Sequence, residues 1–308
     1  RVGFPHMGMI SVPLQVLFRQ AGVEVVVPPN CSARSLSLAS VHSPEFVCVP
    51  FKLVLGNYLE AIEMGADSLI LLGGPNNCRF GYYSILQKRI LADLGHNVEV
   101  VTPQISSRTI SGVPDTLRYL ADYRISKWEA IRAILLGLEV LKDLDEVERK
   151  VQWLRPREVQ QGTANKIWRQ CAVDFAKVDG FGQLKRLKKQ YLRTLDEVQI
   201  DRRRNPLQVT IVGEIYVTHE VYINQNLEEE LGKRGVEARR AEQLSQWLVV
   251  SPALILEAIG LGHEARIARA AKPYLEHLHG ETIGQTVMAH RANADGVIHL
   301  TPFTCTPE

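Results

Sequence analysis

The residues with the most chemical reach in this chain are five cysteines at 31, 48, 78, 171 and 305. Cys78 stands in Gly-Gly-Pro-Asn-Asn-Cys-Arg, directly after the apolar run Leu69 to Leu72. That loop is too polar and too rich in turn formers for a cysteine acting as a small core hydrophobe. Arg79 beside it favours the thiolate, the form that binds metal. Cys305 stands in Thr-Pro-Phe-Thr-Cys-Thr-Pro, again a turn after a strand-like run. Cys48 precedes Pro50, which suits the first turn of a helix, and the N–H groups and dipole at such a helix start favour a thiolate. Against each stands a plainer reading: a loop residue, a residue near the chain end, or one packed under a helix. Cys31, after Pro-Pro-Asn, reads as a fourth ligand, a mobile thiol or neither. Cys171 falls four residues from Ile167 and from Phe175 on one helix face and reads as core.

Three thiols from distant parts of the chain are not the close-spaced pairs of a zinc ribbon or a ferredoxin. The reading that remains is a site assembled at a domain interface from Cys48, Cys78 and Cys305. Three thiolates hold a 4Fe-4S cubane with one iron left for an outside ligand. The chemical rival is zinc bound by three cysteines and one of His6, His42 or His299. His6 and His42 read more plainly as loop or capping residues, as do His277, His279 and His290. Arg79 is expected to stabilise the cluster's negative charge. Lys52 and Glu214 are secondary candidates for the cleft, Glu214 alternatively capping the next helix. The chain holds no G-x-x-x-x-G-K and no G-x-G-x-x-G.

Positioning such a site requires strands that end in loops. Over 1–125 strand-like and helix-like patterns alternate: RVGFP, a helix from Val12 to Gln20, VEVVVPP, a helix from Val49 to Met64, SLILL, a helix from Tyr83 to Leu94, then VEVVTP. Over 126–205 only helical periodicity appears. From 206 to 308 the alternation returns with LQVTIVGE, NLEEELGKRG, VEARRAE and ADGVIHL. The expected architecture is α/β: two Rossmann-like parallel-sheet domains with a helical insertion between them. The two α/β blocks read as versions of one another, since MGADSLILLGGPNNC and ANADGVIHLTPFTC share Ala-Asp, a short apolar strand, a proline and a cysteine. Both cysteines then lie beyond the C-terminal end of a parallel strand, where open α/β sheets bind ligands. The chain starts inside an apparent strand and stops in a loop, so a trimmed chain is expected.

Composition narrows the classes. A net charge of +2 supplies no field for nucleic acid or an anionic membrane, and the basic runs at Lys185–Lys189 and Arg202–Arg204 have acidic neighbours. No apolar run approaches the roughly 20 residues of a membrane span, which makes a cytoplasmic protein the expectation. Five scattered cysteines argue against a secreted disulfide scaffold.

FPHMG, HSPEFVCVPFKLVLGN, GADSLILLGGPNNCRFGYY, IVGEIYV and HLTPFTCTPE together resemble the acyl-CoA dehydratase activase-related proteins, relatives of the 2-hydroxyacyl-CoA dehydratase catalytic subunits and the double-cubane cluster proteins. The resemblance runs from end to end and is strongest around the three loop cysteines. It implies two α/β domains enclosing an iron–sulfur cluster, 4Fe-4S or double cubane, ligated by Cys48, Cys78 and Cys305. It also implies low-potential electrons from a separate ATP-hydrolysing activator with its own cluster. Cys31 matches no motif of the family, and relatives continue beyond FTCTPE, which implies an incomplete second domain. The expected role is that of electron acceptor acting on a small substrate such as an acyl-CoA, with a second copy of the chain as a further partner. The alternatives are a non-catalytic metal-binding maturation or activase-associated module, and a nucleotide-binding activator.

Overall fold

The computed structural model describes residues 1–71, 78–103, 112–248, 262–274 and 281–305. The fold is α/β, with a four-stranded sheet, a three-stranded sheet and many helices. Every strand pairing within the two sheets is parallel. By packing the chain divides into two units, Arg1–Gly137 with Pro302–Thr306, and Leu138–Thr301. The helices read from the sequence as a separate segment thus group mainly with the second sheet. No helix among the described residues is long and apolar enough to cross a membrane.

In the first unit the strands β1 (Val2–Gly3), β2 (Val25–Val26), β3 (Ser68–Ile70) and β4 (Glu99–Val101) lie in the order β2-β1-β3-β4. Helix α1 (Ser11–Gln20) links β1 to β2. Helix α2 (Ala33–Ser40) was not anticipated; its signal is Ser32-x-x-Ser35, which forms a reciprocal capping box. Helix α3 (Val49–Glu63) carries Pro50 in its first turn and is buried along most of its length. Burial on more than one side has a steric basis. A Cβ on Gly3 would meet the Ala61 Cβ at 2.8 Å, and a Cβ on Gly56 would lie 2.1 Å from the Ser35 carbonyl oxygen. Small residues therefore let α3 sit close to β1 on one side and to α2 on the other. Tyr58, fully buried on α3, donates its hydroxyl to the Ile70 carbonyl at 3.2 Å. The short 3-10 turn Arg79–Tyr82 leads into α4 (Tyr83–Asp93), and α5 (Gly112–Leu120) follows β4.

The long helix α6 (Lys127–Leu154) starts in the first unit and continues into the second. There follow α7 (Thr163–Phe175), α8 (Phe181–Asp196), β5 (Leu207–Gly213), α9 (Ile215–His219), α10 (Leu227–Lys233), β6 (Val236–Arg240), α11 (Leu244–Trp247), α12 (His263–Ala271), α13 (Glu281–Arg291) and β7 (Gly296–Leu300), in sheet order β6-β5-β7. The second unit holds a buried ionic core. Arg240, on β6, pairs with Glu148 of α6 and, at 3.0 Å, with Glu228 of α10. Arg155 lies 3.5 Å from Glu228 and donates to Asn165 at 2.7 Å. Asp145 accepts from the Ser245 amide at 2.9 Å. Two guanidinium groups thus face three carboxylates. Burial, together with repulsion from Glu148, pushes Asp145 up to about 6.

The two sheets repeat one plan, as the paired sequence stretches suggested. Gly22 (φ 67°) and Gly235 (φ 80°) make the left-handed stop before the strands that flank β1 and β5. Asp67 donates its amide to the Arg1 carbonyl at 3.1 Å, and Asp295 donates to the Gln208 carbonyl at 2.8 Å. Their carboxylates accept from the main-chain nitrogens of the same two residues, each at 2.7 Å.

Two stability tests follow from this packing. Gly56→Ala is expected to destabilise the chain by about 2–4 kcal/mol in urea unfolding, because helix propensity gains less than the clash with Ser35 costs. Asp145→Asn is expected to stabilise it at pH 7.5 and to lose that advantage below pH 4. The folded chain retains the Asp145 proton up to about pH 6, the unfolded chain only to the ordinary carboxylate range, so the cost of ionisation sets in between and reaches about 3 kcal/mol. Thermal unfolding of both chains across that pH range checks it.

Candidate functional site

Parallel pairing sends the C-terminal ends of β1 and β3 to the same edge of the first sheet. The chain leaves β1 outward to β2 and returns on the opposite side as β3, so the switch in direction lies between these strands, the usual crevice of an open α/β sheet. The loop after β3 leads to Cys78. Its residues 72–77, including most of the Gly-Gly-Pro-Asn-Asn run, lie outside the described residues.

Cys78 caps the 3-10 turn that follows, its sulfur accepting from the Phe80 amide at 3.5 Å. Cys48 is the N-cap of α3, but its side chain does not cap the helix. Its sulfur lies 2.6 Å from the Tyr83 hydroxyl, at the start of α4. The Tyr83 ring meets Phe51 edge-on at 5.0 Å and Phe80 at 5.3 Å. One tyrosine therefore touches the cysteine of α3 and the residue that hydrogen-bonds Cys78.

Cys305 belongs to the same unit. It ends a turn in which its amide donates to the Pro302 carbonyl at 3.1 Å, and Thr304 adopts a left-handed φ of 68°. The Thr304 hydroxyl donates to the Phe46 carbonyl at 3.1 Å, two residues before Cys48. Backbone reach then keeps the Cα atoms of Cys48 and Cys305 within roughly 20 Å. All three loop or helix-start thiols share one neighbourhood. They are not drawn together into a ligand set: among the described residues no three His, Cys, Asp or Glu side chains are gathered closely enough to hold a metal ion.

The other cysteines are accounted for by packing. Cys31 is buried and its thiol donates to Asn57 Oδ1 at 3.4 Å. Cys171 is fully buried on α7, and burial pushes its thiol up. Among the five cysteines, all of them described, there is no disulfide.

The histidines considered for zinc divide. His6 is buried, its amide donating to Asn57 Oδ1 at 3.0 Å and its Nε2 placed 2.8 Å from the Pro28 carbonyl. His42 is exposed after α2, and His299 is exposed on β7 in the second unit. His290 lies in the last turn of α13, and His277 and His279 lie outside the described residues. Lys52 stands one turn beyond Cys48, with its ammonium 3.4 Å from the Glu45 carbonyl. Arg79 opens the 3-10 turn next to Cys78. Glu214, at the end of β5, directs both carboxylate oxygens to the first turn of α9, accepting from Tyr216 at 3.1 Å and Val217 at 2.9 Å. Of its two sequence readings the cap is the one seen in the structure.

Sequence reasoning passed over Tyr83 and a buried polar group that braces α3. Asn57 Nδ2 lies 3.4 Å from Glu60 Oε2, Ser35 donates to the same oxygen at 2.9 Å, and Arg34 pairs with Glu60 Oε1 at 3.3 Å. The available signal was an Asn and a Glu three apart inside the otherwise apolar run of residues 53–62; for Tyr83 it was the density of rings after Cys78.

The donor chemistry fits a thiolate-ligated centre. The Cys48 and Cys78 sulfurs lie within reach of O–H and N–H groups, as sulfurs that carry charge require. No family model matches the chain, and no curated protein sequence matches it.

Glu214→Ala is expected to remove the cap of α9 and cost about 1 kcal/mol. Equilibrium unfolding of the variant checks the capping assignment.

Proposed function

We propose that this chain is an iron–sulfur protein of the kind its sequence resembles, with Cys48, Cys78 and Cys305 as the ligands of one cluster. The observation that carries the reading is the common neighbourhood of the three thiols: Cys48 meets Tyr83, the Tyr83 ring meets the Phe80 whose amide bonds Cys78, and Thr304, next to Cys305, is tied to Phe46. In this reading both sheets are Rossmann-like halves, each with a cysteine in the loop after the strand that follows the switch in direction. When bound, the cluster would supply one low-potential electron at a time.

The chain's own residues do the remainder. Cys48 is delivered by the buried helix α3, whose position is fixed by Gly3, Gly56 and the Asn57–Glu60 group. Cys78 and Cys305 come from turns that adjust their sulfurs to the cluster. Arg79, next to Cys78, offsets the negative charge of a thiolate-bound cluster, and Lys52 adds a second cation one turn into α3. Glu214 is the least supported of the polar candidates, because its carboxylate already serves α9. The proposed donor of electrons is a separate ATP-hydrolysing activator with its own cluster, the proposed substrate a small acyl-CoA thioester, and the proposed setting the cytoplasm. The open spacing of the thiols favours a second reading, a non-catalytic maturation or activase-associated module that takes up metal without turnover.

Purification and reconstitution without oxygen tests the proposal. About four iron and four sulfide per chain are expected for a single cubane, with an EPR signal after reduction. Serine at Cys48, Cys78 or Cys305 should lower the iron content, whereas Cys31→Ala should retain it. Stoichiometric zinc without iron overturns the proposal. Cluster oxidation on mixing with a reduced activator and ATP favours the acceptor role, and inertness favours the second reading.

A further inference from the structure

The contact between the Cys48 sulfur and the Tyr83 hydroxyl is enclosed. Cys48 is 7% exposed and Tyr83 3%. The ring has no freedom to swing, since Phe51 from the first turn of α3 and Phe80 from the 3-10 turn both meet it edge-on. Gln87, one turn along α4, donates to the Phe51 carbonyl at 3.2 Å and fixes α4 to α3 at the same point. The starts of two helices are therefore held side by side with a phenol hydroxyl 2.6 Å from a thiol sulfur.

We propose that Tyr83 is a positioning residue for the cysteine site: its O–H donates to the Cys48 sulfur, and its ring sets Phe80, and through the Phe80 amide the Cys78 sulfur, at a fixed place beside α3. This rests on the cluster reading. A phenol O–H is a far better donor than a thiol S–H, so with Cys48 as a thiolate the tyrosine is the donor. A hydrogen bond to a ligand sulfur stabilises the more negative, reduced state and raises the reduction potential. Tyr83 is thus placed to tune how readily the centre accepts an electron, a role distinct from ligation, which the phenol does not perform.

Tyr83→Phe keeps the ring and both edge contacts and removes only the hydroxyl. In protein reconstituted without oxygen, the variant is expected to bind wild-type iron and to be reduced about tenfold less at a fixed poise, a shift of about 59 mV to more negative potential for one electron. Tyr82→Phe, at an exposed neighbouring tyrosine, should leave the potential unchanged. Wild-type iron with an unshifted potential in Tyr83→Phe overturns the proposal. Loss of iron from Tyr83→Phe alone, with circular dichroism and unfolding unchanged, supports it in a stronger form. A wild-type chain that takes up no iron overturns the cluster reading instead, and the pair is then read in metal-free protein. There, alkylation of Cys48 by iodoacetamide, followed by mass spectrometry with Cys31 as internal reference, should run about threefold or more slower in Tyr83→Phe, because the hydroxyl that favours the reactive thiolate is lost while the covering ring stays. An unchanged rate sinks the positioning role whatever the metal content.

Discussion

Parallel hydrogen bonding of β1 with β2 on one side and β3 on the other governs the first unit. A parallel pair cannot be joined by a tight hairpin, so each connection crosses back over the sheet as a helix and every strand ends at the same edge. That geometry brings His6, Cys78 and the start of α4 to one rim. It also makes α3 part of the crossover from β2 to β3, packed against β1 on one side and α2 on the other, with the cysteine at its start carried to the rim.

Burial of α3 has a consequence for its polar residues. Asn57 and Glu60 are taken out of water, where an unpaired amide or carboxylate would cost several kcal/mol. Each is met: Asn57 by His6, Cys31 and Glu60, and Glu60 by Ser35 and Arg34. These bonds join the loop after β1, the loop before α2, and α2 itself to a single helix. The same group explains why Cys31, which looked available as a ligand, is spoken for: its thiol is one of the donors that satisfies Asn57.

The second unit solves its own burial problem with charge. Arg240 on β6 cannot lose its proton, so its burial requires carboxylates from other elements, and Glu148 and Glu228 supply them. Asp145 is the third carboxylate in a cluster with two arginines, and burial raises its proton affinity, with repulsion from Glu148 adding to it. This ionic core lies within the second unit. Its role is to hold α6, α10 and β6 together beneath a sheet that repeats the plan of the first.

Much of this was legible in the residues alone. Alternating apolar runs and helical stretches determined the α/β class, the strands and the long middle helices, because periodicities of two and of about 3.6 residues are imposed by backbone geometry and leave their mark locally. The polar setting of Cys78 and Cys305 and the proline after Cys48 likewise marked three thiols as loop or helix-start residues, and Cys171 as core. Tertiary structure alone decided that α2 packs on α3, that Glu214 caps α9, that Cys31 answers Asn57, and that Tyr83 meets Cys48. Each of these depends on partners 25 to 35 residues away or on a side chain's choice between local and distant bonds, and such choices are made by packing, which no stretch of sequence records by itself.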